Sequence, residues 1–152
     1  MKTILRQDEP ESLAAFRQAQ PDATWETMKD DPLDGGMGAY RDIKPTLVRG
    51  QRCLCAFCEL SVADSTSDED IAAKADSQRV EHLHQKSDRS GPINWALQWQ
   101  NLCAVCMGGS QRTLDGERFE AARYLPPLPE NLSCDSAKDR WIQAKKLPLE
   151  SE

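Results

Sequence analysis

Cysteine is the residue type in this chain best suited to holding a metal, and four of the six cysteines form two C-x-x-C pairs. Cys55 and Cys58 make the first pair, and a second pair would complete the four soft ligands that zinc prefers. Spacing favours Cys103 with Cys106. Cys106 with Cys134 is the alternative, because Cys134 precedes a predicted helix start, where backbone N–H groups and the helix dipole favour a thiolate. The sequence indicates a zinc site and leaves its last ligand open.

Two other interpretations of the cysteines involve no zinc. One is a redox C-x-x-C motif at Cys55, which expects a strand before the motif and a helix after it. Here Cys53 crowds the pair, and no such pattern surrounds it. The other is a set of buried or free thiols. The second C-x-x-C pair downstream favours zinc over both.

Both histidines lie in one short segment, where Glu81 precedes His82 and His84 follows two residues later. A strand over Gln78–Leu83 would place Glu81 on one face and the histidines on the other. An imidazole, with an unperturbed pKa near ~6.5, can accept a proton from water, and a carboxylate can bind Mg²⁺. Taken alone, an exposed strand end that happens to carry two histidines explains this segment better than a catalytic site does.

The elements that must position these side chains are short. A length of 152 residues fits one compact unit. We divide it into an N-terminal helical cover over residues 1–50, a candidate docking segment, and residues 51–152, which carry the cysteines, the histidines and a C-terminal helix. The predicted elements are helices over Glu11–Gln20, Thr24–Lys29 and Asp135–Lys146, a strand over Gln78–Leu83, and an apolar stretch over Asn94–Cys106. Pro45 is expected to interrupt any helix between Tyr40 and Gly50.

The net charge of −6 argues against tight, independent binding to DNA, since phosphate contacts need Lys or Arg. A DNA-acting protein with this charge needs locally clustered basic residues or a partner that holds the substrate. No apolar run approaches the ~18 residues of a membrane span, and the first residues do not read as a secretory signal. We therefore expect a cytoplasmic protein whose cysteines are metal ligands or buried thiols rather than disulfides.

Four short motifs follow one another between roughly Cys53 and Asp139. They are Cys55-Ala56-Phe57-Cys58-Glu59, then Glu81-His82 with Lys86-Ser87, then Trp99 with Asn101-Leu102, and finally Cys134-Asp135 with Lys138. This order resembles the HNH endonuclease family and, more narrowly, the PtuB-like HNH nucleases of Septu and retron-associated anti-phage systems. Two positions depart from the family pattern. Gln85 stands where the family usually has Pro, and Asp135 stands in place of the third His or Asn.

The resemblance implies an α+β fold in which a ββα-metal core (the HNH or His-Me finger) is joined by a structural four-cysteine zinc site and additional helices. Its register implies the zinc ligands Cys55, Cys58, Cys106 and Cys134. Cys53 and Cys103 would then be buried thiols, and Cys103 is the competitor for the fourth ligand position.

The resemblance also implies metal-dependent hydrolysis of phosphodiester bonds in DNA. His82 would be the general base, and Asn101 would orient the loop that carries it. Glu81 and Asp135 would bind the catalytic Mg²⁺ or Mn²⁺. The candidate nucleic-acid contacts are Lys86, Lys138 and His84. An ABC-type ATPase (PtuA-like) is the implied partner in anti-phage defence. The alternative from another class is a zinc-knuckle interaction module without catalysis.

Overall fold

The computed structural model describes residues 7–33 and 35–107, which form helices and one small antiparallel sheet. The helices are α1 (Glu11–Ala19), α2 (Trp25–Asp30), α3 (Gly36–Gly50) and α4 (Asp68–Ala73), and the strands are β1 (Gln78–His82) and β2 (Leu102–Cys106). Short 3-10 turns, Ala75–Ser77 and Trp99–Asn101, precede the two strands. The predicted mixture of helix and sheet is confirmed for these residues. The predicted helix over Asp135–Lys146 lies outside them.

The first two helices start and end within one residue of their predicted bounds. In α1 the buried residues Leu13 and Phe16 are three positions apart, so they share the helix face that meets the core. The first turn of α2 is capped by Thr24, whose side-chain oxygen accepts a hydrogen bond from the Thr27 backbone N–H at 3.0 Å. Local patterning and capping therefore account for both elements.

The expected interruption at Pro45 is wrong, because α3 runs through it without a break. Proline lacks the N–H that would bond to the preceding turn, which costs a helix interior about 3 kcal/mol. On the opposing side, Ala39, Ile43 and Leu47 lie four positions apart on one face and are almost fully buried. Burial of large apolar side chains is worth roughly 1.5–3 kcal/mol each, so tertiary packing outweighs the proline.

The connection between α2 and α3 depends on a close approach at Gly36. A Cβ at this position would lie 2.5 Å from the Met28 carbonyl oxygen and 3.0 Å from the Phe16 ring. Gly35, just before it, adopts a left-handed φ of 86°. The two glycines let α3 start directly against the other N-terminal helices.

The register of the sheet decides which side chains share a face. Glu81 lies opposite Cys103 and His82 lies opposite Leu102, so the predicted separation of Glu81 and His82 onto opposite faces holds. Every residue of β2 is buried, because α3 packs on this strand. The sheet therefore fixes the functional side chains against a well-packed centre.

A hairpin over residues 53–62, the cysteine hairpin, is docked on β2 by one glutamine. The Gln51 Nε2 donates to the Ala104 carbonyl at 2.8 Å and to the Leu54 carbonyl at 2.9 Å. Its Oε1 accepts from the Ala104 N–H at 2.7 Å. The Ala56 N–H adds a bond to the Ala104 carbonyl at 3.0 Å. The side chain of Gln51 thus pairs with β2 as a neighbouring strand would.

None of the helices within the described ranges combines the length and the apolar character that crossing a bilayer requires.

Candidate functional site

Three cysteine sulfurs come together where the cysteine hairpin meets the end of β2. The Sγ atoms of Cys55, Cys58 and Cys106 all lie within 4.8 Å of one another, and Cys58 and Cys106 are 3.5 Å apart. Sulfurs bound to one tetrahedral zinc at ~2.3 Å stand roughly 3.8 Å apart, so the spacing fits a shared ion. We call these residues the thiol cluster. The all-sulfur donor set suits zinc rather than a hard cation.

The electrostatics of the thiol cluster favour a thiolate at Cys55. Its pKa is held well below the usual thiol range, first by the hydrogen bond with the Cys106 thiol. The backbone N–H groups of Cys58, Cys106 and Phe57 also bond to the Cys55 sulfur and act in the same direction, whereas burial opposes them. Because metal binding requires deprotonated sulfur, this arrangement lowers the cost of binding an ion.

Cys103 does not join the thiol cluster, although it forms a C-x-x-C pair with Cys106. Both lie in β2, and residues three positions apart in a strand point to opposite faces. Cys103 is fully buried, whereas Cys106 turns towards the cysteine hairpin. Cys53 is also separate, because its thiol donates to the Ser65 carbonyl at 3.0 Å and burial raises its pKa. Cys134 lies outside the described residues, so its ligand role stays a prediction.

His82 is buried at the end of β1, with only 8% of its surface exposed. Its Nε2 lies 3.1 Å from the Ala96 carbonyl oxygen. A carbonyl only accepts, so Nε2 carries the hydrogen and Nδ1 carries the lone pair when the ring is neutral. The ring of Trp25 in α2 packs against it nearly perpendicularly, with centroids 4.7 Å apart. The N-terminal cover thus reaches the histidine directly.

Glu81 is half-buried on the other face of β1. Its predicted partner in metal binding, Asp135, lies outside the described residues. Within residues 7–33 and 35–107, the thiol cluster is the sole set of three metal-donor side chains whose ligand atoms converge. Magnesium commonly takes only one or two protein carboxylates and keeps several waters, so Glu81 with one further carboxylate would suffice.

Asn101 holds the loop that follows β1, which we call the histidine loop (residues 83–95). Its Oδ1 accepts from the His84 N–H at 2.6 Å. Its Nδ2 donates to the His84 carbonyl at 3.0 Å and to the Trp95 carbonyl at 2.8 Å. The residue is 3% exposed, so water does not compete for these bonds. One amide therefore joins both ends of the loop, in keeping with the orienting role predicted for it.

His84 has two further partners within the histidine loop. Its Nε2 bonds to the Asp88 carboxylate at 2.6 Å, and its ring stacks on Trp95 with centroids 4.3 Å apart. The Asp88 pKa is lowered to about 2, first by the bond from the Ser90 backbone N–H and next by His84. No sequence motif marked Asp88. The spacing of four residues between His84 and Asp88 is the sequence feature that could have indicated their contact.

The N-terminal cover is attached to the histidine loop at several points. Lys86, a predicted phosphate contact, forms an ion pair with Glu26 of α2. The Asn94 Nδ2 donates to the Pro21 and Ala23 carbonyls at 2.7 and 2.8 Å. The basic side chain nominated for substrate binding therefore already has an acidic neighbour, in an ion pair that is exposed to solvent. Lys138, the other predicted lysine, lies outside the described residues.

Comparison with curated proteins finds one related protein from Escherichia coli, named "Retron Ec83 putative HNH endonuclease". It is 34% identical over 148 residues, which is 97% of this chain. The same alignment covers 49% of the retron protein, so the chain spans about half the length of the curated relative it matches. No protein-family model and no solved structure matches the chain.

The first prediction concerns the thiol cluster. Replacing Cys58 or Cys106 by Ser should release zinc, because either change removes one of the converging sulfurs. Since structural zinc supplies several kcal/mol of folding free energy, the unfolding midpoint should also fall by more than about 10 °C. Metal analysis and thermal unfolding measure both effects.

The matched control for the cysteine variants is Cys103→Ala, on the opposite face of β2, which should keep its zinc. Cys134→Ser tests the fourth ligand in the same assay and should release the ion. Full zinc content in Cys58→Ser, or zinc loss in a folded Cys103→Ala protein, would contradict the assignment.

The second prediction concerns Asn101. Asn101→Asp keeps the shape but turns a carboxylate oxygen towards the His84 and Trp95 carbonyls, which loses two donors in a buried site. We expect a loss of about 2 kcal/mol or more in the free energy of unfolding. Urea unfolding gives that value, and hydrogen exchange at the His84 amide reports the loop itself. The control Gln100→Glu adds the same charge at an exposed neighbouring position and should change the free energy of unfolding little. Equal losses of stability in both variants would contradict the proposed role of Asn101 in holding the loop.

Proposed function

We propose that the chain belongs to the HNH endonuclease family that the retron protein represents, and that it is a metal-dependent endonuclease that hydrolyses phosphodiester bonds in DNA. The observation that carries the proposal is the Asn101 amide, which bonds to both ends of the loop following Glu81 and His82. The family motif requires its central Asn to orient that loop. An Asn-Leu pair that matched the motif by chance would not be expected to bond to both ends of that loop.

In the proposed mechanism, His82 is the general base. Its Nε2 hydrogen is committed to the Ala96 carbonyl, so Nδ1 is the nitrogen that takes a proton from the attacking water. Such base catalysis is typically worth ~10²–10⁴-fold. The buried ring and its hydrogen bond hold this orientation without relying on substrate.

Two metal sites would have separate tasks. Glu81 and Asp135 would hold Mg²⁺ or Mn²⁺, which when bound neutralises charge on the leaving oxygen and polarises water. Cys55, Cys58, Cys106 and Cys134 would hold a structural zinc, and four thiolates leave no open position for water. In the finer fold that we propose, β1, β2 and the helix predicted after Cys134 form the ββα-metal core.

Substrate binding would begin at the basic side chains near the histidine loop, with Lys86, His84 and Lys138 as the proposed contacts. The carboxylate of Glu26 occupies Lys86, so a DNA phosphate would have to replace it. The net charge of −6 further weakens binding to DNA. We therefore propose that an ABC-type ATPase presents the substrate in a cytoplasmic anti-phage defence complex.

The second candidate function is a zinc-knuckle interaction module. It is favoured by two observations, the burial of His82 behind Trp25 and the acidic neighbour, Glu26, that Lys86 has in an exposed ion pair. A module of this kind would need the thiol cluster but not the imidazole. The two candidates therefore differ in what a histidine substitution does.

The third prediction tests this difference. Purified protein should nick or linearise plasmid in the presence of Mg²⁺ or Mn²⁺, and His82→Ala should cut at least ~100-fold more slowly while keeping its zinc and its fold. Gln100→Ala, an exposed change near the same segment, should cut like the parent chain. Cutting by His82→Ala at the parental rate would reject the nuclease assignment and leave the interaction module.

The fourth prediction concerns the partner. Adding the ABC-type ATPase should raise the initial rate of plasmid cutting at least about tenfold at physiological salt, because the partner supplies phosphate contacts that an acidic chain lacks. At low salt the difference should persist, since weaker screening also strengthens the repulsion between DNA and a chain of net charge −6. Equal rates with and without the ATPase at every salt concentration would remove the proposed dependence.

A further inference from the structure

His84 is held more firmly than a partly exposed loop residue needs to be. The Asn101 amide fixes its backbone N–H and its carbonyl. The Asp88 carboxylate fixes one ring nitrogen, and Trp95 covers one face of the ring. The Asn101 bonds stabilise the fold, but an ion pair that is open to solvent contributes little to stability, so folding alone does not explain the contact between His84 and Asp88.

One edge of the His84 ring stays available. Because a carboxylate accepts hydrogen bonds, the Nε2 hydrogen points to Asp88. Within the described residues no group bonds to Nδ1, and 21% of the side chain is exposed. An imidazole with a carboxylate on one nitrogen and solvent at the other is the arrangement that proton-transfer histidines adopt.

Both imidazoles are anchored to the same two consecutive residues. The His82 ring bonds to the Ala96 carbonyl, and the His84 ring stacks on Trp95. The Trp95 carbonyl is in turn held by Asn101. The two histidines therefore depend on adjacent residues, Trp95 and Ala96, for their support.

We propose that His84 is a second catalytic residue of the nuclease, the acid that protonates the leaving oxygen, and that Asp88 is its positioning residue. The inference rests on the proposed endonuclease function and adds a residue to it. Asp88 stays ionised because the Ser90 N–H and His84 both bond to its carboxylate. Its negative charge therefore lies next to the His84 Nε2 at neutral pH.

The proton balance of the step is complete without another reactant. The water oxygen forms a bond to phosphorus as the bond from phosphorus to the leaving oxygen breaks. The proton of water passes to His82 Nδ1, and the Nδ1 proton of His84 passes to the leaving oxygen, which departs as an alcohol. Exchange with solvent returns both histidines to their starting protonation states.

The test compares two substrates that differ in how much the leaving group needs a proton. One is a DNA oligonucleotide, whose leaving group is an alkoxide. The other is thymidine 3′,5′-bis(p-nitrophenyl phosphate), whose p-nitrophenolate leaves without protonation. His84→Ala and His84→Gln should cut the oligonucleotide ~10²–10⁴-fold more slowly but release p-nitrophenolate within about threefold of the parent rate. Asp88→Asn should show the same split with a smaller loss.

Two variants serve as controls. His82→Ala should slow both substrates, because both need water to be activated. Asp64→Asn, an exposed change elsewhere that makes the same substitution as Asp88→Asn, should slow neither. Zinc content and circular dichroism establish that each variant is folded.

The possible outcomes distinguish failure of the acid role of His84 from failure of the proposed nuclease function. Equal losses on both substrates in the His84 variants, or no loss on either, would overturn the acid role while the nuclease stands. A parent chain that cuts neither substrate, with or without an ATPase, overturns both. A ¹⁵N spectrum adds a direct reading, since addition of a metal-free oligonucleotide should shift His84 Nδ1, and an unmoved resonance counts against the proposal.

Discussion

The Asn101 amide is the interaction on which the arrangement of the site depends. It lies just before β2, in the centre of the molecule, and it reaches the backbone at both ends of the histidine loop. Both imidazoles take their positions from that loop or from the residues that close it. A buried amide that satisfies three backbone groups is costly to disturb, because each partner would lose its hydrogen bond away from water. The fixed position of the histidine loop depends on this one side chain.

Local signals in the sequence predicted the elements whose bounds depend on local pattern. The helices α1 and α2 and the strand β1 all fall within one residue of the bounds predicted for them. Pro45 misled the prediction because the burial that overrides it comes from residues far away in sequence. The same holds for Trp25, since no pattern reports that α2 will pack against His82. Contacts between distant segments are what sequence spacing does not encode.

The N-terminal cover contacts the candidate site directly, although its sequence carries no recognisable motif. It supplies Trp25 beside His82 and Glu26 beside Lys86, so any movement of α2 alters both neighbours at once. A partner that binds this helix would therefore act on substrate access and on the histidine together. Its role as a docking segment stays a prediction, and α2 also contacts the candidate site.

The placement of Cys103 and Cys106 on a strand has a consequence for comparing such proteins by their motifs. Two cysteines in a C-x-x-C motif can bind one ion when the chain turns between them, as it does from Cys55 to Cys58. In a β-strand the same motif directs the two sulfurs to opposite faces, as in β2. Losing a single residue between Cys103 and Cys106 would leave them two positions apart and so turn both sulfurs to the same face of β2. In this chain, an insertion or deletion within β2 would therefore be more damaging than most substitutions there.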